Sequence, residues 1–265
     1  CTLMSILDEI ITHKKTELPA LKETIPHFNP VEHVRPSLYD ALLAANHLQV
    51  IAEMKRASPS KGIIAQHVSP SEQAKKYELA GAACISVLTE TKYFKGSYDD
   101  LYEVAKAVSI PVLCKDFIID EVQIDYAQAA GASIILLIVA ALSNAQLRGL
   151  HAYATALKLE VLVEVHNADE LKQALDIEAQ LIGVNNRDLK TFEVDLTHSK
   201  EMGAKLENSR ALFISESGIW NEADAALVAS YGARAVLVGE SLMRSETVEQ
   251  DLRALKVPLK IGETL

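Results

Sequence analysis

Short apolar runs alternate with longer amphipathic segments from about residue 48 onward. The apolar runs are rich in β-branched residues, which predicts strands. There are eight of them: LQVIAEMK (48–55), ACISVL (83–88), PVLCK (111–115), SIILLIV (133–139), LEVLVEV (159–165), LIGVN (181–185), ALFISE (211–216) and AVLVG (235–239). The segments between them, such as 69–80, 120–130 and 221–231, have helical periodicity and begin with Ser, Asp or Asn, residues that cap helices.

Three glycines mark the same repeat. Gly81, Gly131 and Gly232 each follow a predicted helix and precede Ala and a strand, at spacings of about two and four units of a roughly 25-residue repeat. Apolar strands that are each followed by a helix indicate a parallel sheet covered by helices. Eight such units favour a closed (β/α)8 TIM barrel over an open doubly wound sheet, because no G-x-G-x-x-G follows the first strand.

The first 47 residues do not follow the repeat. SILDEIITHKK (5–15) and SLYDALLAA (37–45) predict two helices, with Ser5 as the cap of the first. We therefore expect a single α/β domain over residues 1–265, with a helical N-terminal extension (1–47) and eight βα units (48–265). The extension plugs one mouth of the barrel, covers the substrate, or does both.

Composition narrows the class of protein. Of 265 residues 49% are hydrophobic and 23% charged, which is enough to bury a sizeable core. A net charge of −10 argues against general binding to nucleic acid or anionic membranes. The longest apolar run, 134–142, is about half of the ~20 residues that span a bilayer. Three cysteines (Cys1, Cys84 and Cys114) do not suggest a disulfide framework. We expect a cytoplasmic protein that is a monomer, with oligomers left open.

Polar residues stand where most of the predicted strands end. In a (β/α)8 barrel these carboxyl ends meet at one mouth, which carries the reactive groups. The residues are Glu53 and Lys55, Lys115, Glu164, Asn185 and Arg187, Glu216 and Ser217, and Gly239. One such residue can be accidental, since ion pairs also occupy strand ends. The whole set indicates a functional site, because each desolvated charge costs several kcal/mol unless it is paired.

The loops after the strands suggest a phosphate site. Ser217-Gly218 and Gly239 follow the last two strands, where such barrels hold phosphate groups, and Leu242–Arg244 before a Ser245 cap predicts a short extra helix. Ser58 lies in a second candidate loop, KRASPSKG (55–62). The chain has no H-E-x-x-H, P-loop or nucleotide fingerprint, so we expect chemistry without metal or cofactor. Cys114 is interpreted as buried filler, and His166 as a loop histidine.

Seven segments resemble the indole-3-glycerol phosphate synthase family of tryptophan biosynthesis. They are AEMKRASPSKG (52–62), SVLTETKYFKGSYDDL (86–101), PVLCKDFIID (111–120), VEVHNADEL (163–171), GVNNRDLKTFEVD (183–195), SESGI (215–219) and VLVGESLM (236–243). The resemblance covers essentially the whole chain, with the motifs in order. It implies a cofactor-independent lyase that closes a pyrrole ring, loses carbon dioxide and loses water, acting on an anthranilate joined to a deoxyribulose phosphate.

The resemblance also assigns site residues. It implies that Lys115, Glu164, Lys55 and Glu53 are catalytic. Lys115 is the candidate general acid, and we expect burial to lower its pKa and neighbouring carboxylates to oppose that shift. The division of the proton transfers among Lys115, Lys55 and Glu164 stays open. Substrate contacts are expected from Asn185, Arg187, Glu216, Ser217, Ser58, Phe94, Gly218 and Gly239.

Two other functions stay open on the residues alone. Lys115 also suits a Schiff-base aldolase acting on a sugar phosphate. The phosphate loops also suit a non-catalytic barrel that binds a sugar phosphate. Neither alternative requires the Glu53–Lys55 spacing or the glutamates at other strand ends, and the barrel fold by itself does not choose among the three.

Overall fold

Strands and helices alternate along the chain as the apolar runs predict. The computed structural model describes residues 4–260, so Cys1 lies outside the described residues. The strands are β1 (Gln49–Met54), β2 (Ala57–Ser58), β3 (Gly62–Ile63), β4 (Cys84–Leu88), β5 (Val112–Lys115), β6 (Ile134–Ile138), β7 (Glu160–Val165), β8 (Leu181–Asn185), β9 (Leu212–Glu216) and β10 (Ala235–Val238). The helices are α1 (Ile6–Glu23), α2 (Leu38–Ala44), α3 (Pro70–Leu79), α4 (Tyr98–Ala107), α5 (Glu121–Ala129), α6 (Asn144–Ala156), α7 (Ala168–Asp176), α8 (Thr197–Leu206), α9 (Glu222–Ser230), α10 (Glu240–Met243) and α11 (Val248–Leu255).

Eight of these strands form one closed parallel barrel. Each pairs with the next in the order β1, β4, β5, β6, β7, β8, β9, β10, and β1 pairs with β10 to close the ring. The short β2 and β3 pair antiparallel within the loop that follows β1. The predicted (β/α)8 TIM barrel with a helical N-terminal segment is confirmed. Because all barrel strands run in parallel, their carboxyl ends meet at one mouth.

The helix boundaries follow the predicted capping residues with one exception. The side chains of Ser69, Asp120 and Asn221 accept hydrogen bonds from backbone amides in the first turns of α3, α5 and α9. The predicted Ser245 cap is wrong. Helix α11 begins after Thr247, and Ser245 lies before it, where its hydroxyl accepts the Thr247 backbone amide at 3.0 Å and donates to Asp251 at 2.5 Å. The short extra helix exists as α10, two residues earlier than predicted.

The N-terminal segment closes the lower mouth of the barrel through α2. Leu38 and Leu42 are buried in the apolar cluster that fills the barrel interior. Glu160, the first residue of β7, accepts hydrogen bonds from the backbone amides of Leu38 (2.7 Å) and Tyr39 (3.0 Å). A carboxylate at this helix N-terminus satisfies amides that have no partner within the helix. Helix α2 is therefore a plug fixed at the amino ends of the strands.

Helix α1 lies at the opposite mouth. Leu7 and Ile10 line the cavity at the carboxyl ends of the strands. The buried ammonium of Lys14 lies 2.9 Å from the buried carboxylate of Asp116, which directly follows β5. Asp116 also accepts hydrogen bonds from the Thr89 hydroxyl at 2.6 Å and from the backbone amide of Phe117 at 2.7 Å. The segment before β1 thus both plugs one mouth and covers part of the other.

The Lys14–Asp116 pair predicts a stability difference between neighbouring lysines. Removing one partner leaves a buried charge uncompensated, so we expect Lys14→Ala to lower the free energy of unfolding by about 3 kcal/mol. Lys15 is exposed, and Lys15→Ala should change it by less than about 0.5 kcal/mol. Urea denaturation measures both values. Equal effects of the two substitutions would show that the buried pair does not hold α1 on the barrel.

Candidate active site

A cavity opens at the carboxyl ends of the barrel strands. All of the predicted site residues except Glu216 line it, and Glu216 lies buried beneath it. The residues lining it are Glu53, Lys55, Ser58, Phe94, Lys115, Glu164, Asn185, Arg187, Ser217, Gly218 and Gly239. The structure therefore brings these strand ends together at one mouth of the barrel.

Four ionisable side chains come from alternate strands of the barrel. They are Glu53 of β1, Lys115 of β5, Glu164 of β7 and Glu216 of β9. Alternate strands contribute the side chains of one interior layer in this fold. Each of the four stands two residues after an apolar residue of the barrel interior: Ile51, Leu113, Leu162 and Ile214. We call these four residues the charged layer, since it lies directly above an aliphatic one.

Glu53 joins two lysines. Its Oε2 lies 3.0 Å from Lys115 Nζ, and its Oε1 lies 3.4 Å from Lys55 Nζ. The Ser86 hydroxyl of the neighbouring β4 donates to Oε2 at 2.8 Å. Burial raises the pKa of Glu53, but Lys115 and Lys55 outweigh burial and the pKa is lowered overall. Glu53 is therefore an ionised bridge between the lysines.

The two lysines have pKa shifts of opposite direction. Burial lowers the pKa of Lys115, but the carboxyl groups of Glu53, Glu216 and Glu164 outweigh it and raise the pKa overall. The expected lowering by burial is thus wrong in its outcome, because three carboxyl groups act on the ammonium together and the strand-end pattern does not give their combined strength. For Lys55, burial and the charge of Lys115 prevail over Glu53, and its pKa is lowered.

Glu164 and Glu216 form a carboxyl pair. Burial and the charge of Glu164 raise the pKa of Glu216 well above its ordinary value. No N–H or O–H group of residues 4–260 donates to either Glu216 oxygen. Burial also raises the pKa of Glu164, yet the hydrogen bond from Glu216, followed by the charge of His166, lowers it overall. Two adjacent carboxyls cannot both ionise at ordinary pH, so Glu216 keeps the proton and shares it with Glu164.

A glycine makes room for this pair. Gly183 of β8 stands in register beside Glu164. A Cβ added at Gly183 would lie only 2.7 Å from Glu216 Oε1, closer than van der Waals contact permits. Any side chain at position 183 would therefore force the Glu216 carboxyl to shift.

Neutral groups extend the site along β8 and β9. The Ser217 hydroxyl donates to Asn185 Oδ1 at 2.9 Å, and the Arg187 backbone amide donates to the same oxygen at 3.0 Å. With Oδ1 occupied by donors, the Asn185 NH2 group is directed towards Glu164. The Arg187 guanidinium donates to the carbonyl of Phe192 at 3.0 Å, which fixes it at the cavity wall.

The candidate phosphate loops meet at one side of the cavity. Ser58, Gly218 and Gly239 all line it. The Ser58 hydroxyl accepts the backbone amide of Lys61 at 3.2 Å, which shapes the loop after β1. Lys55 also reaches this side, since a Cβ added at Gly239 would lie 3.3 Å from Lys55 Cε. The carboxylate next to Gly239, Glu240, pairs with Arg244 at 3.0 Å.

Phe94 is both a loop anchor and part of the cavity wall. Its ring packs against Phe117 with centroids 5.9 Å apart. The buried carboxylate of Glu90 accepts hydrogen bonds from the backbone amides of Lys92 at 2.7 Å, Tyr93 at 2.7 Å and Phe94 at 2.9 Å. This ring of bonds holds the loop after β4 in a tight turn, so Phe94 reaches the cavity from a rigid base.

Sequence reasoning missed several groups at this mouth. His166 is interpreted there as a loop histidine, yet its ring reaches Glu164. Position in a loop gives no signal of where a ring points, so the pattern could not find it. Other cavity residues outside the prediction include Ile6, Leu7 and Ile10 of α1, Lys61, Leu189, Phe192 and Trp220. Cys114 is buried filler as predicted, and burial raises the pKa of its thiol to about 12.

Two kinds of feature are absent from residues 4–260. No group of three or more His, Cys, Asp or Glu side chains is arranged to hold a metal ion within this range. No helix of the same range is both long enough and apolar enough to cross a membrane.

Comparisons with known proteins agree with the geometry. A family model described as indole-3-glycerol phosphate synthase matches residues 7–255. The indole-3-glycerol phosphate synthase of Oceanobacillus iheyensis is 51% identical over 256 residues, which are 97% of this chain and 98% of that protein. The synthase of Bacillus cereus strain AH820 is 48% identical over 253 residues, covering 96% and 98%.

A solved structure, thiamine phosphate pyrophosphorylase from Pyrococcus furiosus, superposes with a TM-score of 0.60. It covers 83% of this chain and 96% of its own, at 16% sequence identity. This likeness is one of fold alone. The sequence matches support a stronger conclusion, because they combine high identity with coverage of both the barrel and the helices before it. On these matches the chain belongs to the indole-3-glycerol phosphate synthase family.

Proposed function

We propose that the cavity converts 1-(2-carboxyphenylamino)-1-deoxyribulose 5-phosphate into indole-3-glycerol phosphate, carbon dioxide and water. As a member of its family the chain is a carbon–carbon lyase of tryptophan biosynthesis. One observation carries the assignment of the reaction to this cavity. Glu53 bridges Lys115 and Lys55 on one side of the barrel mouth, while the Glu164–Glu216 pair stands on the other.

The phosphate end of the substrate fits among cationic and small groups. We assign it to Arg187, Ser58 and the backbone amides of Ser217, Gly218 and Gly239, with Lys55 beside them. Glu240 pairs with Arg244, so only its backbone amide is assigned to the phosphate. Binding energy gained at a phosphate can orient a flexible chain whose reacting carbons lie some distance away. The aromatic ring then takes the apolar part of the cavity, near Phe94 and α1.

Ring closure needs a proton donor at the ketone. The ring carbon that bears the carboxylate attacks the ketone carbon, and a carbon–carbon bond forms as the ketone π electrons move to oxygen. We assign Lys115 to donate the proton to this oxygen. The raised pKa keeps Lys115 protonated and positive, so it also stabilises the developing negative charge. Carboxylates around it hold the ammonium in place.

Loss of carbon dioxide and water follows. The C–CO2 bond breaks and its electron pair returns to the cationic ring system, which Glu53 stabilises while it is positive. A proton then leaves the methylene carbon next to nitrogen, and the neighbouring hydroxyl departs as water. We assign the carbon proton to the ionised Glu164 and protonation of the hydroxyl to Lys55, whose lowered pKa makes it the stronger acid of the two lysines.

The charges of the site balance under this assignment. Lys55 and Lys115 are positive, Glu53 and Glu164 are negative, and Glu216 is neutral because it holds the shared proton. A neutral set of groups can stabilise the cationic intermediate with one carboxylate and the developing oxyanion with one ammonium. Arg187 remains as a further cation for the phosphate. Metal and cofactor take no part in this proposal.

The family decides among the three functions that the residues alone leave open. A Schiff-base aldolase needs Lys115 as a neutral nucleophile, and its raised pKa opposes that role. A non-catalytic sugar-phosphate barrel gives no reason for a buried carboxyl pair and a lysine–glutamate bridge, both of which are costly to bury. Only the synthase uses all of these groups.

Substitutions of the charged layer should separate the steps. We expect Lys115→Ala to lower kcat by roughly a hundredfold or more, with carbon dioxide release blocked, because ring closure comes first. Glu164→Gln should lower kcat as much, yet release carbon dioxide and accumulate a hydrated, decarboxylated intermediate. Single-turnover mixing with the substrate measures carbon dioxide and indole absorbance in the same experiment.

Lys172→Ala is the control for these variants, because Lys172 is an exposed residue of α7 away from the cavity. It should keep the original kcat. Far-ultraviolet circular dichroism confirms that each variant is folded. If well-folded wild-type protein does not form indole-3-glycerol phosphate, the proposed function is wrong. If Lys115→Ala instead releases carbon dioxide at the wild-type rate, another residue must be the general acid of ring closure.

The close approach at Gly183 gives a second kinetic prediction. Gly183→Ala should push the Glu216 carboxyl away from Glu164 and lower kcat by roughly tenfold or more, since small misplacements of catalytic groups are costly. Gly149→Ala is the matched control, because a Cβ there meets nothing within 4 Å and Gly149 lies in the exposed surface of α6. It should keep kcat. An unchanged kcat in Gly183→Ala would show that the position of the Glu216 carboxyl does not matter for turnover.

We further propose that the chain works in the cytoplasm as a single-domain monomer that binds no nucleic acid. Its two described cysteines are unpaired and buried, and its net charge is −10. Light scattering after gel filtration should give the mass of one chain at micromolar concentration. Thermal unfolding should show one transition by both tryptophan fluorescence and circular dichroism. A dimer mass, or two separate transitions, would contradict this proposal.

A further inference from the structure

His166 stands beside the Glu164–Glu216 pair with an unused nitrogen. It is the first residue after β7, two positions beyond Glu164. Its Nε2 lies 3.6 Å from Glu164 Oε2, and both side chains are largely buried. Among residues 4–260 this buried nitrogen has no hydrogen-bond partner. A buried polar atom without a partner is costly, so its place beside a carboxylate calls for a function.

The other side of the ring is fixed by Glu170 of α7. Nδ1 lies 3.1 Å from Glu170 Oε1, and the His166 backbone amide donates to the same oxygen at 3.0 Å. Glu170 is itself held by Asn167, whose side-chain NH2 donates to Oε2 at 3.0 Å. The His166 carbonyl meets Nε2 of His198 at 2.7 Å. The ring is therefore clamped with Nε2 directed at Glu164.

We propose that His166 is a positioning residue for the synthase reaction, which holds the Glu164 carboxylate ionised and in place so that the shared proton stays on Glu216. This inference rests on the proposed function only for the role of Glu164. The arrangement of carboxylate, imidazole and carboxylate exists independently of it. In this view Glu170 acts through His166, because it fixes which nitrogen faces Glu164.

The charges around the ring support a protonated histidine. Burial lowers the pKa of His166, but Glu170 and Glu164, with Asp188 of the loop after β8, raise it overall. The remaining titratable neighbour, His198 of α8, contacts the His166 backbone rather than the ring. On the far side of Glu164, Lys115 favours its ionised form and Glu216 donates to it. A positive His166 lowers the pKa of Glu164, so loss of this charge must raise it.

The pH profile of kcat/KM tests the proposal. In His166→Gln we expect the acid limb to move upward by roughly one pH unit, because Glu164 then gains its proton at higher pH. Glu170→Gln should move the limb in the same direction by less, since the ring stays but loses part of its charge. The double variant should match His166→Gln alone, because Glu170 acts through the ring.

His151→Gln is the matched control, a half-buried histidine of α6 whose pKa is shifted by burial alone. It should leave the acid limb unchanged. A general loss of kcat in His166→Gln with an unmoved acid limb would assign His166 a purely structural role and overturn the inference. Additive shifts in the double variant would likewise show that Glu170 does not act through His166.

A titration by nuclear magnetic resonance separates this inference from the proposed function. The His166 imidazole signal is the one lost in His166→Gln. Its midpoint should lie above the ordinary value of about 6.5 and fall in both Glu164→Gln and Glu170→Gln. A midpoint indifferent to Glu164→Gln overturns the inference while the proposed function stands. The expected midpoints in a protein without turnover confirm the pairing and refute the proposed function instead.

Discussion

Glu53 is completely buried, and a buried carboxylate without partners costs several kcal/mol. Lys115 and Lys55 lie at 3.0 and 3.4 Å from its two oxygens and supply that compensation. Lys115 belongs to β5, which is separated from β1 by β4, so the pair joins two strands that are not hydrogen-bonded to each other. The fold thus provides the partners that the buried Glu53 requires. The order of the strands brings the pair together, and Glu53 in turn holds two lysines near each other despite their like charges.

The order of the strands also explains the rest of the charged layer. Side chains from alternate strands meet in one layer of a barrel, and here the layer above the aliphatic core consists of Glu53, Lys115, Glu164 and Glu216. Like charges meet on the β7–β9 side, where Glu216 takes a proton. Gly183 supplies the space for that proton-sharing pair. Proton affinity is therefore set by which strands contribute side chains to the same layer, more than by any local sequence.

The difference between local sequence and strand arrangement also explains what the sequence alone could predict. An apolar residue followed two positions later by a charged one, as in Ile51 and Glu53, is visible in the chain and fixes strand, face and mouth together. The direction of the Lys115 pKa was not predictable, because it depends on three carboxyl groups from distant strands. The contact between Lys14 and Asp116 is equally invisible, since about a hundred residues separate them. Local periodicity places side chains on faces, and only packing gives them partners.

The helix before the barrel adds a constraint that the eight-unit repeat lacks. Asp116 follows the catalytic candidate Lys115 directly, and its buried pair with Lys14 fixes α1 against the same strand end. Movement of α1 would leave Asp116 as an unpaired buried carboxylate next to Lys115. An unpaired buried charge of this kind is costly, so the pair opposes such a movement. The cover over the cavity is therefore fixed to the same strand end that carries Lys115, through the residue that directly follows it.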